Sequence, residues 1–287
     1  MTGPESEERI GEAPHEGAAL EPAGVASPAV VLPPGPTPDR WAHRRGEPRT
    51  FAALWLAYLF GAIAFSLGGV GLFGLLATDV YRPAARTLLT LAAVGVAVLW
   101  PMARLSQEAP KRPLRALLVD LLVMVVPVQA VIWPQAFPWM AGWPLSVAAA
   151  LAGLFLAWTG LMSGLLAVYF AASQCGRFRP MPRWGMMLLV MLVVLAGPAV
   201  AVTTPIASRA AVGVDVADPW LVSSPMTAVY ELTRDRSWSG QSARIGPGHW
   251  LAVGMTGLCA LFSWGVAAAV GRGAEQGRSQ PAFIGID

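Results

Sequence analysis

The chain has 287 residues, 55% hydrophobic and only 13% charged, and its mean hydropathy of +0.54 excludes an ordinary soluble globular enzyme. The formal charge of +3 and pI near 9.2 come almost wholly from arginines scattered over connecting segments, with Lys111 the one lysine. They form no basic face with interleaved aromatics, so no nucleic-acid partner is expected.

Residues 1–50 are rich in Pro, Glu, Gly and Ala and include the run VLPPGPTP. Such a composition cannot bury enough apolar surface to offset the entropy of ordering, and it predicts a disordered, Pro-rich cytoplasmic tail. The acidic start MTGPESEERIGEAPHEG has no apolar core, so no cleaved signal peptide is expected and the first span acts as the insertion signal. Arg40, Arg44, Arg45 and Arg49 cluster just before that span, as a topology signal would.

Residues 51–271 read as a domain of six transmembrane helices. Span one, 51–77, carries Gly61, Ala64, Gly68 and Gly71 at helical spacing, a flat stripe where another helix can approach closely. Span two is 85–102 and ends at Trp100 and Pro101, before the basic segment RLSQEAPKRPLR.

From Leu121 onward no Asp, Glu, Lys, Arg or His occurs until Arg177. A helix crosses a bilayer with roughly 20 residues, so this stretch is too long for one span and predicts two, 116–132 and 145–170. They form a hairpin around which the other spans pack. Its turn, WPQAFPWMAGWP, is interrupted by Pro134, Pro138 and Pro144 and carries Trp133, Trp139 and Trp143 at headgroup level. Span four holds Gly160 and Gly164 as a GxxxG pair, a second close-packing face.

Span five is 186–202, kinked by Gly197 and Pro198, and span six is 250–270. Between them lies an extracytoplasmic loop, 203–249. Ser224 and Pro225 there read as an N-cap and first helical residue, which predicts a short interfacial helix over 225–232 followed by a flexible loop. Residues 272–287 form a cytoplasmic C-terminal tail. With both termini inside, inner segments hold fourteen of the 20 basic residues and outer segments six, which satisfies the positive-inside rule.

Several chemistries are excluded. Lys111 stands in APKRP and not in a Walker A loop, so the chain is no P-loop ATPase. His15, His43 and His249 all lie outside the spans, which leaves buried haem without axial ligands, and neither HExxH nor a cysteine pair offers zinc a site. Cys175 and Cys259 are not expected to form a disulfide. Ser163 sits in LMSG without the first glycine of a GxSG turn, and Asp120 is the only acid within a span, so intramembrane proteolysis is excluded on both routes. No cofactor, metal or catalysis by the chain itself is expected.

Asp120 is thus the one intramembrane ionisable group, and Gln129 and Ser163 are further in-span polar candidates. Arg104 and Arg115 both lie within reach of Asp120, and an ion pair near the inner boundary is its expected role. A route for a polar substrate has only Asp120, Gln129, Thr159, Ser163 and Thr256 to draw on.

Six spans, cytoplasmic termini and a last outer loop whose helix begins SSPMTAVYEL before the final span resemble ABC-2 type permeases, with the likeness clearest over 198–271. The resemblance implies an assembly of permease subunits in the bilayer, a separate cytoplasmic P-loop ATPase, and export or extraction of a hydrophobic or large substrate. It places the inner segments 103–115 and 171–185 against that ATPase, with Arg112, Arg115, Arg177 and Arg179 as contacts. The glycine stripes at Gly61, Gly68, Gly71, Gly160 and Gly164 serve equally a non-catalytic scaffold or assembly subunit of a larger membrane complex. Either reading places the chain in a bacterial cytoplasmic membrane as part of a homo- or hetero-oligomer.

Overall fold

A computed structural model describes residues 48–72, 78–174, 181–203, 219–235 and 243–279, and every regular element among them is helical. The expected tail thus falls outside the described residues except for its last three, which already form the first turn of α1, Pro48–Leu72. A proline suits that place because the first N–H of a helix has no intrahelical acceptor.

The second span is longer than 85–102 and is not uniform. Helix α2, Thr78–Val94, passes into a π-helical turn, Gly95–Leu99, and resumes as α3, Trp100–Ser106. Pro101 supplies the reason. Its ring would collide with the Ala97 carbonyl one turn back in a regular α-helix, and the wider turn, closed by the Trp100 N–H donating to the Gly95 carbonyl, lets the chain continue.

Helix α4, Pro113–Ile132, runs into a 3₁₀ turn, Trp133–Ala136. The connection to α5, Leu145–Gln174, is held by the Gly142 and Trp143 amides donating back to Phe137 and Gln135 carbonyls at 3.1 and 3.2 Å. Gly142 has φ +60, a left-handed conformation that a side chain would strain. Trp133 and Trp139 are exposed as headgroup-level rings should be, whereas Trp143 is buried to 1% and packs inward.

Helix α6 is Arg183–Thr203. Beyond the undescribed residues 204–218 come a one-turn helix α7, Pro219–Val222, which the sequence did not announce, and α8, Pro225–Thr233. The last helix, α9, is Pro247–Ser279 and continues past the expected end of span six at 270.

Among the described residues five helices are long and apolar enough to cross a membrane: Thr50–Val70, Val80–Ser106, Pro113–Ala136, Leu145–Gln174 and Pro247–Gly273. The apolar part of α6, Arg183–Ala196, is shorter. The hairpin of α4 and α5 is present, but of its two helices only α5 is central to the bundle. Within α5, 67% of the apolar stretch is buried, against 28% for α4 and 17% for α1, with the second span, Val80–Ser106, close behind at 61%. Its most extensive neighbour is α9, not α4.

Candidate functional site

Helices α5 and α9 meet along small residues. A methyl group added at Gly160 would lie 3.3 Å from the Ala260 Cβ, one at Gly153 would touch Val253 at 3.4 Å, and one at Gly164 would collide with Ser263. Contacts thus advance together along both helices, so the two run parallel, and they step by seven residues and then by four on α5 and three on α9, the spacings of one helix face. The Trp264 indole N–H donates to the Gly160 carbonyl at 3.1 Å, a bond that only so close an approach allows. Gly153 belongs to this seam although the GxxxG pattern does not reach it.

The other glycine stripe has no such partner. Gly61 and Gly68 on α1 have no other residue within 4 Å of an added methyl among the described residues. Gly71 lies in α1, but its surroundings are outside the described residues. Where α1 does pack, it uses Trp55 and Tyr58. Their stacked rings press on Gly95, where a methyl would come within 2.6 Å of both. The Trp55 indole donates to the Met124 carbonyl at 3.3 Å and the Tyr58 hydroxyl to the Leu91 carbonyl at 2.7 Å, tying α1 to α4 and to α2.

Asp120 lies about two turns inside α4 and faces α3. Its Oδ2 stands 3.1 Å from Arg104 Nε, with side chains 6 and 8% exposed. The contact has ion-pair distance without hydrogen-bond alignment at Nε, and Arg104 Nη1 donates instead to Gln107 Oε1 at 2.7 Å. Arg115 points to the exterior.

The remaining in-span polar groups are satisfied locally. Gln129 donates to the Ala152 carbonyl at 3.1 Å and accepts from the Trp133 indole. Ser163 donates to the Leu117 carbonyl across the α4–α5 interface at 3.3 Å. Thr159 and Thr256 donate to carbonyls one turn back on their own helices. The five groups are therefore distributed, not convergent, and line no common path.

At the opposite end of the bundle a polar cluster holds α8 in place. Arg82 donates to Asp235 at 3.1 Å and to the Ala141 carbonyl in the α4–α5 turn at 2.8 Å. Arg86 donates to Asp235 Oδ2 at 2.7 Å and to both the hydroxyl and the carbonyl of Thr233. Sequence reasoning missed this clamp. The signal for it was the spacing of Arg82 and Arg86, four residues apart and so on one face of α2. Helix α8 ends within a residue of its expected boundary, and Ser224 has extended N-cap backbone, but its hydroxyl makes no capping bond and is buried without a hydrogen bond.

Arg112 and Arg115 are exposed at the start of α4, while Arg177 and Arg179 lie outside the described residues, as does Cys175. Cys259 is an exposed free thiol on α9. Among the described residues no group of three or more His, Cys, Asp or Glu is placed to hold a metal. Comparisons with family models, with characterised proteins and with solved structures find no match.

Proposed function

We propose that the chain is the membrane-spanning, permease-like subunit of an ABC-type transporter that works with a separate P-loop ATPase. In this reading α6 is the fifth of six spans, both termini are cytoplasmic, and the membrane is a bacterial inner membrane. The reading is supported by the contrast between a closed interior and an open perimeter. Each polar group that a route through one chain would use already has a partner. Along α1 and α9, by contrast, a methyl added at Gly61, Gly68, Gly254, Gly257 or Gly265 would have no described residue within 4 Å, and large side chains such as Phe65 and Phe262 are exposed beside them. A substrate path therefore runs between subunits, along apolar walls suited to a hydrophobic substrate, and the working unit is a homo- or hetero-oligomer.

The same closed interior favours one other reading, a non-catalytic scaffold or assembly subunit, which needs close helix contacts and no path. Purification of the full chain from its native membranes in mild detergent, with mass spectrometry of what survives a salt wash, separates the two. A stoichiometric P-loop ATPase is the expected result. Recovery of other membrane subunits without an ATPase overturns the transporter reading in favour of the scaffold.

A further inference from the structure

Where α3 ends and α6 begins, a groove of about 260 Å³ opens at the edge of the bundle, lined by Met102, Leu105, Ser106, Arg183, Trp184 and Met187. Its walls are thioether and aliphatic carbon. At its mouth stand Arg183 and Trp184, both exposed. Arg183 has no hydrogen bond or ion pair to any described residue, and α6 has no acidic residue in its first turn to answer it.

The wider charge pattern of this end is one-sided. Lys111, Arg112 and Arg115 are exposed on the neighbouring segment, and the first turn of α4 likewise lacks an acid. Asp120 is already engaged by Arg104, which leaves Glu108 as the one remaining acid with a described side chain at this end of the bundle. The groove also lies at the terminus of the Val80–Ser106 span, the depth at which acyl chains give way to headgroups.

We infer that this groove binds an anionic phospholipid, with Arg183 on the headgroup phosphate and the upper part of one acyl chain along Met102, Leu105 and Met187. A guanidinium presents paired donors to phosphate oxygens, and a tryptophan ring beside it suits the boundary between headgroup and chain. A free inorganic anion or an acidic protein surface would satisfy Arg183 but gain nothing from the apolar walls. A zwitterionic lipid would fill the walls, but its own ammonium group weakens the attraction of the basic rim. An anionic lipid answers both features at once. The site is independent of whether the chain transports anything, and it identifies the leaflet: the one that carries anionic lipid against a basic protein surface.

The test uses the full chain, delipidated in detergent and followed by native mass spectrometry during titration with dioleoylphosphatidylglycerol or dioleoylphosphatidylcholine. Wild type should retain the glycerol lipid at least fivefold more tightly than the choline lipid, and Arg183→Gln should remove about that factor, the contribution typical of one basic residue at a membrane surface. Ser106→Glu, which sets a like charge at the groove's rim on an exposed position, should do the same. Both variants are checked for unchanged helicity and a monodisperse elution. Equal retention of the two lipids by wild type, or Arg183→Gln binding the glycerol lipid as wild type does, overturns the inference. Competition by millimolar inorganic phosphate also overturns it, because the site would then take a free anion and not a lipid.

Discussion

Arg104 and Asp120 illustrate how burial changes the meaning of a pair. At a wet boundary an ion pair is worth little, and on sequence alone Asp120→Asn should leave folding and activity nearly intact. Both side chains are in fact more than nine-tenths buried, so removing one charge strands the other. Breaking a buried pair costs about 3 kcal/mol or more; Asp120→Asn should therefore lower the thermal midpoint in detergent markedly, and the double variant Arg104→Gln/Asp120→Asn should recover most of the loss. A second contrast involves glycines that look alike in the sequence. Gly164→Ala drives a methyl into Ser263 and should destabilise by roughly 1–3 kcal/mol. Gly61→Ala meets no described residue and should cost less than about 0.5 kcal/mol when measured in the monomer. A loss at Gly61 that appears only in the membrane, and not in monomeric detergent, would reveal a partner helix on α1.

At the scale of elements, helical periodicity and charge made the α-helical class and most helix positions legible, because hydrocarbon tolerates few alternatives to a helix whose backbone bonds are internal. The break in the second span was not legible as a π-turn, although Pro101 and Gly95 were both in view. Proline announces a disturbance but not which of several remedies the neighbouring rings of Trp55 and Tyr58 will allow. Nor was the centrality of α5, since an unbroken apolar run looks the same whether lipid or protein surrounds it; the small residues of α9 opposite Gly153, Gly160 and Gly164 decide it. The clamp on α8 was hidden for a different reason, as it joins residues some 150 positions apart, Arg82 to Asp235. If Asp235 anchors α8 as the geometry indicates, Asp235→Ala should speed amide exchange in Pro225–Thr233 roughly tenfold and leave exchange in the α5–α9 seam unchanged. Equal acceleration in both would mean that the clamp supports the whole bundle.

For the molecule as a whole, orientation is the most direct prediction. In a background lacking Cys175 and Cys259, Met140→Cys in the α4–α5 turn should react with a membrane-impermeant maleimide added to intact cells. Glu108→Cys should react only after permeabilisation, and the reverse pattern would invert the assigned topology. The parallel seam between α5 and α9 also has a consequence for biogenesis. The indole of Trp264 and the carbonyl of Gly160 that it binds are 104 residues apart, so the central helix reaches the bilayer long before its main partner has been synthesised. At about 5–20 residues per second, the glycine face of α5 waits on the order of 5–20 s in lipid, its closest-packing surface uncovered. During that interval the nascent chain resembles an unpaired half of an interface, open to a neighbouring nascent chain or to a membrane chaperone, and a ribosome that stops before Pro247 leaves it so permanently.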